Sequence, residues 1–287
     1  MLSKYFKSLD DNKVLCNLCC RFCVIRENET GFCKVRKNID GKLFSLVYNK
    51  PISINIDPIE KKPLYHFLPK TRTLSFGTPG CNFDCAFCQN HTISNSKNID
   101  LSKLKEFTSD DIINMALENN CPSISYTYTE PTVFGEYSLE IMKKAKKLGI
   151  KNIFVSNAYF SKEYLKDILP YLDAINVDLK GAQKFYDTLI PGIQTKHIKE
   201  NIKELYKQNI HIEITNLLIE NYNTSKEEIE EVVNFIVSVS LKIPLHFSRA
   251  FPHYRLKHII PTKIETLKLA EKIAKDKGLE NVYLGNI

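Results

Sequence analysis

The 287-residue sequence contains no tryptophan, only three methionines and only ten glycines. No G-x-G-x-x-G turn occurs, and cysteines stand where such a turn would follow the first strand of the main βα series, so a dinucleotide-binding sheet is disfavoured. No uninterrupted apolar run approaches about 18 residues, which argues against a membrane-spanning helix. The opening Met-Leu-Ser-Lys-Tyr-Phe-Lys has no apolar core followed by a cleavage site, so no signal peptide is evident and a cytoplasmic location is expected. Thiols stay reduced there, so the nine cysteines are not read as a disulfide framework. No low-complexity segment or internal repeat stands out. The net charge of +7 is spread over amphipathic stretches such as Lys143 to Lys147. That pattern reads as solvated faces rather than a nucleic-acid surface.

What the chain does have is clustered cysteine. Eight of the nine fall within the first 88 residues, in two groups, which points to metal or cluster ligation. The second group is Cys81-x-x-x-Cys85-x-x-Cys88, with Phe87 before the last thiol, and it follows the apolar run Arg72 to Thr78. Three thiolates hold three corners of a [4Fe–4S] cluster and leave the fourth iron open to a small molecule. The competing reading is a zinc site completed by His91. The first group repeats the spacing as Cys16-x-x-x-Cys20-x-x-Cys23, so spacing alone does not choose between them. Context does: Cys81 follows a strand that opens a βα series, whereas Cys16 lies in a loop-rich segment. With Cys33 available, Cys16, Cys19, Cys23 and Cys33 make a four-cysteine set for zinc or an auxiliary Fe–S cluster, leaving Cys20 as a spare. Cys121 reads as a buried core thiol.

Residues 1–70 differ from the rest: a Cys-rich loop, a strand over Lys42 to Tyr48 after the Asp40-Gly41 turn, then a Pro-punctuated extended segment from Pro51 to Pro69. From Arg72 onward short β-branched runs alternate with helical stretches about six times, with capping boxes expected at Ser225/Glu228 and Thr262/Glu265. The expectation is an α/β partial (β/α)6 TIM-like barrel over 71–287 behind a small Cys-rich N-terminal segment over 1–70. In such folds, active residues gather at the C-terminal strand ends. Those ends carry Tyr128-Thr129-Glu130, Asn157, Asn176-x-Asp178-x-Lys180, Thr215, His246 and Arg249. Alternation sends Asn176, Asp178 and Lys180 to one face of an otherwise apolar strand, which suggests a lined site, although an internal ion pair is the plainer alternative. A lone strand histidine such as His246 is usually a satisfied structural residue.

These motifs resemble the radical S-adenosylmethionine (SAM) enzymes of the pyruvate formate-lyase-activase-like branch, and more closely the radical SAM component of the AmmeMemoRadiSam system. The resemblance spans nearly the whole chain. It rests on Cys16 to Arg36, Asp57 to Pro69, Gly80 to Asn90, Ser125 to Pro131, Asn176 to Gly181 and His246 to Arg249. Cys20-Arg21 departs from the Pro-His usual there. The resemblance implies a [4Fe–4S] cluster on Cys81, Cys85 and Cys88 that reductively cleaves SAM to methionine and a 5′-deoxyadenosyl radical, which abstracts hydrogen from a substrate. It implies SAM contacts by Phe87, Tyr128, Thr129, Glu130, Asn157, Asp178, Lys180, Thr215, His246 and Arg249. A flavodoxin- or ferredoxin-type electron donor and functional association with Memo-type and AMMECR-type proteins follow from it. A glycyl-radical activase is one alternative. A non-enzymatic Fe–S or zinc electron carrier or scaffold is another.

Overall fold

The computed structural model describes residues 1–287, apart from the side chain of Asn98. The N-terminal segment forms small antiparallel pieces. These are β1 (Phe6–Ser8), β2 (Val14–Cys16) and β3 (Val24–Ile25) in one three-stranded sheet, and the β4 (Arg36–Ile39) and β5 (Lys42–Ser45) hairpin. The Asp40-Gly41 turn closes that hairpin with positive φ at both residues, +50° and +70°. The strand stops at Ser45, short of the expected Tyr48.

The Pro-punctuated stretch contributes β6 (Ser53–Pro58), which pairs antiparallel with β7 (Arg72–Gly77). Its prolines fall at or beyond its ends, as an edge strand tolerates. From β7 the strands β8 (Ser123–Tyr126) and β9 (Lys151–Ser156) follow in parallel. Farther on come β10 (Ala174–Asp178), β11 (His211–Leu218), β12 (Leu245–Arg249) and β13 (Val282–Gly285), with β11, β12 and β13 parallel. The helices are α1 (His91–Ser94), α2 (Ser109–Glu118), α3 (Gly135–Lys147), α4 (Lys162–Ile168), α5 (Gln183–Leu189), α6 (Thr195–Lys207), α7 (Lys226–Val239) and α8 (Ile264–Asp276). The fold is thus α/β with a mixed, mainly parallel sheet, and each of the six strands β7 to β12 leads into helix, as the alternation predicted.

The compact units do not follow the expected boundary at residue 70. One unit is Met1–Phe83 with Asn90–Ile175; the other is Asp84–Gln89 with Asn176–Ile287. The N-terminal segment joins the first unit because buried polar contacts knit it to α3 and α4. Arg36, 1 % exposed, donates to both oxygens of Glu136 and to the Val133 carbonyl. Tyr5 donates to Asp167 (2.7 Å) and meets Tyr164 edge-on at 5.4 Å. Within this unit Phe76, Tyr126 and Phe154 interlock at 5.2 and 5.3 Å between centroids. Each is fully buried, worth roughly 1.5–3 kcal/mol for a side chain of this size.

Two capping expectations change. Ser225 does accept from the Glu228 amide (3.3 Å), but one oxygen of Glu228 is buried without a hydrogen bond, so the reciprocal arm is not made. Thr262 does not cap α8, whose N-cap is Lys263. Its hydroxyl instead donates to Leu218 O (2.6 Å) and accepts from Ala250 N (3.0 Å), pinning the chain after β12 to β11. The capping box that forms completely, Thr108 with Asp111 on α2, went unremarked in the sequence.

Candidate functional site

In the first unit, β7 runs into Thr78-Pro79-Gly80-Cys81. Gly80 has φ +96°, and a Cβ there would lie 2.7 Å from Val35 Cγ1 and 2.8 Å from the Cys33 carbonyl, so only glycine fits. The segment bearing Cys33 thereby sets the approach to Cys81. The Phe83 amide lies 3.4 Å from Cys81 Sγ, donating to the sulfur. Asn82 is buried, and its Oδ1 accepts from Asn157 Nδ2 at 2.7 Å.

The loop after β8 is fixed at three successive residues. Tyr128 has φ +64° and donates its hydroxyl to Asp57 Oδ2 (2.7 Å), which also takes Lys62 Nζ at 2.6 Å. Burial opposes the charge on Asp57, but Lys62 and Tyr128 outweigh it and hold the carboxyl well below the usual range. Thr129 Oγ1 donates to Thr78 O (2.7 Å). Glu130, 3 % exposed, accepts from four neutral donors: Thr132 N (3.1 Å), Thr132 Oγ1 (2.6 Å), Ser156 Oγ (2.8 Å) and Asn157 N (2.9 Å). It has no ion-pair partner among the described residues, and burial pushes its carboxyl up despite those bonds. One carboxylate thus joins the ends of β8 and β9, and Asn157 carries the chain of bonds on to Asn82, beside Cys81.

The second unit contains Cys85 and Cys88, linked by a turn in which Cys88 N donates to Cys85 O (3.1 Å). Burial pushes the Cys85 thiol up to about 12, while the Lys180 ammonium opposes it. Lys180 pairs with Asp178 at 2.9 Å and sits 5.7 Å above the Phe87 ring. Burial disfavours its charge, yet Asp178 and the Cys85 thiol hold the ammonium above the ordinary lysine range. The internal ion pair and the proximity to the cysteines are therefore both real. Asn176 accepts from Thr215 Oγ1 (2.9 Å). Arg255 clamps the cysteine loop: its amide donates to Ala86 O (3.0 Å) and its guanidinium to Asp84 O (2.6 Å), with a 3.0 Å ion pair to the Asp84 carboxylate. His246 is satisfied, with Nε2 2.7 Å from Glu213, which also meets His211 at 3.0 Å, and with its ring stacked on Tyr283. Arg249 donates to Thr262 O (2.7 Å) and packs on Phe251.

The first cysteine group, in the first unit, sorts itself. Cys16, Cys19, Cys23 and Cys33 line one pocket with Leu18, Ile25, Phe32 and Val133. Cys20 instead lies 3.2 Å from the Phe160 carbonyl and donates to it. Burial pushes Cys16 up to about 12, and Cys19 and Cys33 up as well. Arg21 stacks on Phe32 at 3.5 Å, and its Nε donates to the Asn82 carbonyl. Among the described residues, no three His, Cys, Asp or Glu side chains already stand as a metal-coordinating set.

Residues 76–236, more than half of the chain, match the Radical SAM superfamily. The chain belongs to that superfamily. An uncharacterized protein of Methanocaldococcus jannaschii is 43% identical over 284 residues, covering 99% of this chain and 84% of that protein. The 4-hydroxyphenylacetate decarboxylase activating enzyme of Clostridium scatologenes is 25% identical over 167 residues, 55% of this chain and 51% of that enzyme. A radical SAM methyltransferase from Sphaerobacter thermophilus shares the fold, with a TM-score of 0.58 at 13% identity over 76% of this chain and 67% of that one.

Radical SAM membership brings two cofactors, a [4Fe–4S] cluster and SAM. The residue chemistry suits them: Cys81, Cys85 and Cys88 lie outside any disulfide, the Phe83 amide donates to Cys81 in the first unit, and the Lys180 ammonium opposes the upward shift of Cys85 in the second. No helix is long and apolar enough to cross a membrane among the described residues. The sequence named Asp57 and Lys62 only within the Asp57 to Pro69 run, without their contact to Tyr128, and it did not single out Asn82 or Arg255, which act through contacts that no spacing announces.

Proposed function

We propose that this radical SAM enzyme cleaves SAM reductively and abstracts hydrogen from its substrate, and that it belongs to the AmmeMemoRadiSam branch. The observation that carries the SAM reading is Glu130, a buried carboxylate among neutral donors that lacks a cation. SAM brings an ammonium and a sulfonium, and a fixed negative charge near them favours binding. In this reading Tyr128 and Thr129 present the loop backbone toward the methionine amine. Asn157 serves the ribose or carboxylate, and Asp178 and Lys180 supply one acceptor and one donor in the second unit. Phe87 packs at the cofactor, and Thr215, His246 and Arg249 line the remaining strand ends. Cys81, Cys85 and Cys88 hold the cluster, which supplies the electron when loaded.

The branch assignment is supported by the Asp57 to Pro69 run. Its Asp57 and Lys62 support Tyr128 directly, so the run serves the cofactor loop. Memo-type and AMMECR-type proteins are then functional associates, and a flavodoxin or ferredoxin the electron donor, as radical SAM activases generally use. A second reading, activation of a glycyl-radical partner, is favoured by the similarity to the Clostridium scatologenes activating enzyme.

Anaerobic reconstitution followed by dithionite and SAM tests the first reading. 5′-Deoxyadenosine is expected, and its absence from protein with a full iron complement sinks the assignment. Appearance of a glycyl radical signal in a co-expressed partner would select the second reading.

A further inference from the structure

We propose that Cys16, Cys19, Cys23 and Cys33 bind a single Zn²⁺ ion, at a centre whose ligands are distinct from those of the radical SAM cluster. Local backbone brings the four together. The β2–β3 hairpin closes with Cys16 N donating to Cys23 O (2.9 Å), and Phe22, at φ +45°, turns the chain back after Cys19. Cys33 arrives on a second turn, in which Lys34 N donates to Gly31 O (2.9 Å). A Cβ on Gly31 would be 3.8 Å from Cys23 Sγ, so the two turns lie against each other.

Selection among five candidate thiols is the second argument. Cys20 turns to Phe160 O, while the other four share one pocket. The third is ligand chemistry. A tetrahedral zinc takes four thiolate sulfurs at about 2.3 Å, and the pocket supplies four cysteines. Among the described residues the four sulfurs do not already stand as a coordinating set, so zinc binding requires them to draw inward.

Charge is the fourth. Four thiolates around Zn²⁺ carry a net charge of two minus. The Arg21 and Arg36 guanidiniums border the pocket, and Arg36 shares its charge with Glu136. Apolar Leu18, Ile25 and Val133 line the pocket beside the sulfurs. On binding, four S–H protons leave to solvent and four Zn–S bonds form, with no change of oxidation state. Since Arg21 also donates to the Asn82 carbonyl, the zinc centre supports the segment that presents Cys81.

The test uses the full chain carrying Cys81→Ala, Cys85→Ala and Cys88→Ala, so cluster ligation is removed and failure of the SAM reading leaves the result readable. Elemental analysis after incubation with Zn²⁺ is expected to give one zinc per chain, and Co²⁺ in its place a sulfur-to-cobalt charge-transfer band with tetrahedral d–d bands. Adding Cys19→Ser or Cys33→Ser should abolish that band, and adding Cys20→Ser should leave it intact. Because serine variants can misfold, zinc-edge X-ray absorption on the wild-type chain provides a second measurement, with four sulfur neighbours expected. Iron at Fe–S stoichiometry in the triple variant, no metal uptake, nitrogen or oxygen neighbours at the zinc edge, or loss of the band on Cys20→Ser would each overturn the proposal.

Discussion

Glu136→Gln isolates the buried ion pair that ties the N-terminal segment to α3. In the wild type, Glu136 accepts from Arg36 Nη1 (2.8 Å), from Arg36 Nη2, and from Ser3 Oγ (2.7 Å), with side chains 1% and 8% exposed. Burial alone would push the Glu136 carboxyl up. The Arg36 guanidinium outweighs it and holds the group at about 2, against an ordinary 4.5. A depression of that size corresponds to about 3 kcal/mol of stability. The folded value lies below the unfolded one, so this contribution is fully present above pH 4.5 and is lost as pH falls through about 2. Removing one member of such a pair typically costs ~3–5 kcal/mol, because the other charge is stranded in a dry site. Urea unfolding at neutral pH should therefore put Glu136→Gln about 3 kcal/mol below wild type. Between pH 4.5 and 2 the gap should close as the wild-type carboxylate protonates. Arg36→Met with Glu136→Leu should recover most of the loss, since an apolar pair of similar volume strands no charge. A single variant within about 1 kcal/mol of wild type at neutral pH, or a gap independent of pH, would refute the reasoning.

Three further outcomes are expected. Glu130→Gln keeps the fold but removes the charge and opposes two N–H groups at Asn157; SAM affinity should fall about ten- to hundredfold, the scale of a charge-assisted bond, by equilibrium dialysis. Gly80→Ala forces a Cβ into Val35 and Cys33 O at positive φ, and should cost about 1–3 kcal/mol and lower the iron content after reconstitution. Cys85→Ala should abolish 5′-deoxyadenosine formation, whereas Cys20→Ala, which removes a thiol donor to Phe160 O, should leave it; the reverse pattern would mean that the reactive triad had been misassigned.

The βα series, the extended Pro-punctuated segment before it and the two cysteine groups were legible because each is a local pattern: alternation, proline placement, ligand spacing. The spacing could not say whether Cys20 or Cys19 belongs to the first group, since both fit. Cys20 turns its thiol to the carbonyl of Phe160, 140 residues away, which supports Cys19 in the proposed set. The compact units do not follow the compositional change near residue 70. Composition changes there, but Arg36 finds its carboxylate at position 136, and such a long-range pair leaves no trace in composition. Thr262 looked like a cap because it stands before a helix with Glu265 following. Its hydroxyl was recruited by β11 instead, a tertiary contact overriding a local preference. Asp178 and Lys180 were found by alternation, and so was their mutual pairing as the plainer outcome.

The Arg255 clamp has a consequence for biogenesis. The loop carrying Cys85 and Cys88 is ordered by a residue 171 positions later in the chain. During synthesis, the thiols emerge from the ribosome long before the guanidinium that anchors their loop exists. The order of this loop therefore depends on the fold of a segment made much later, so a truncation ending before Arg255 would keep both thiols and lose their anchor.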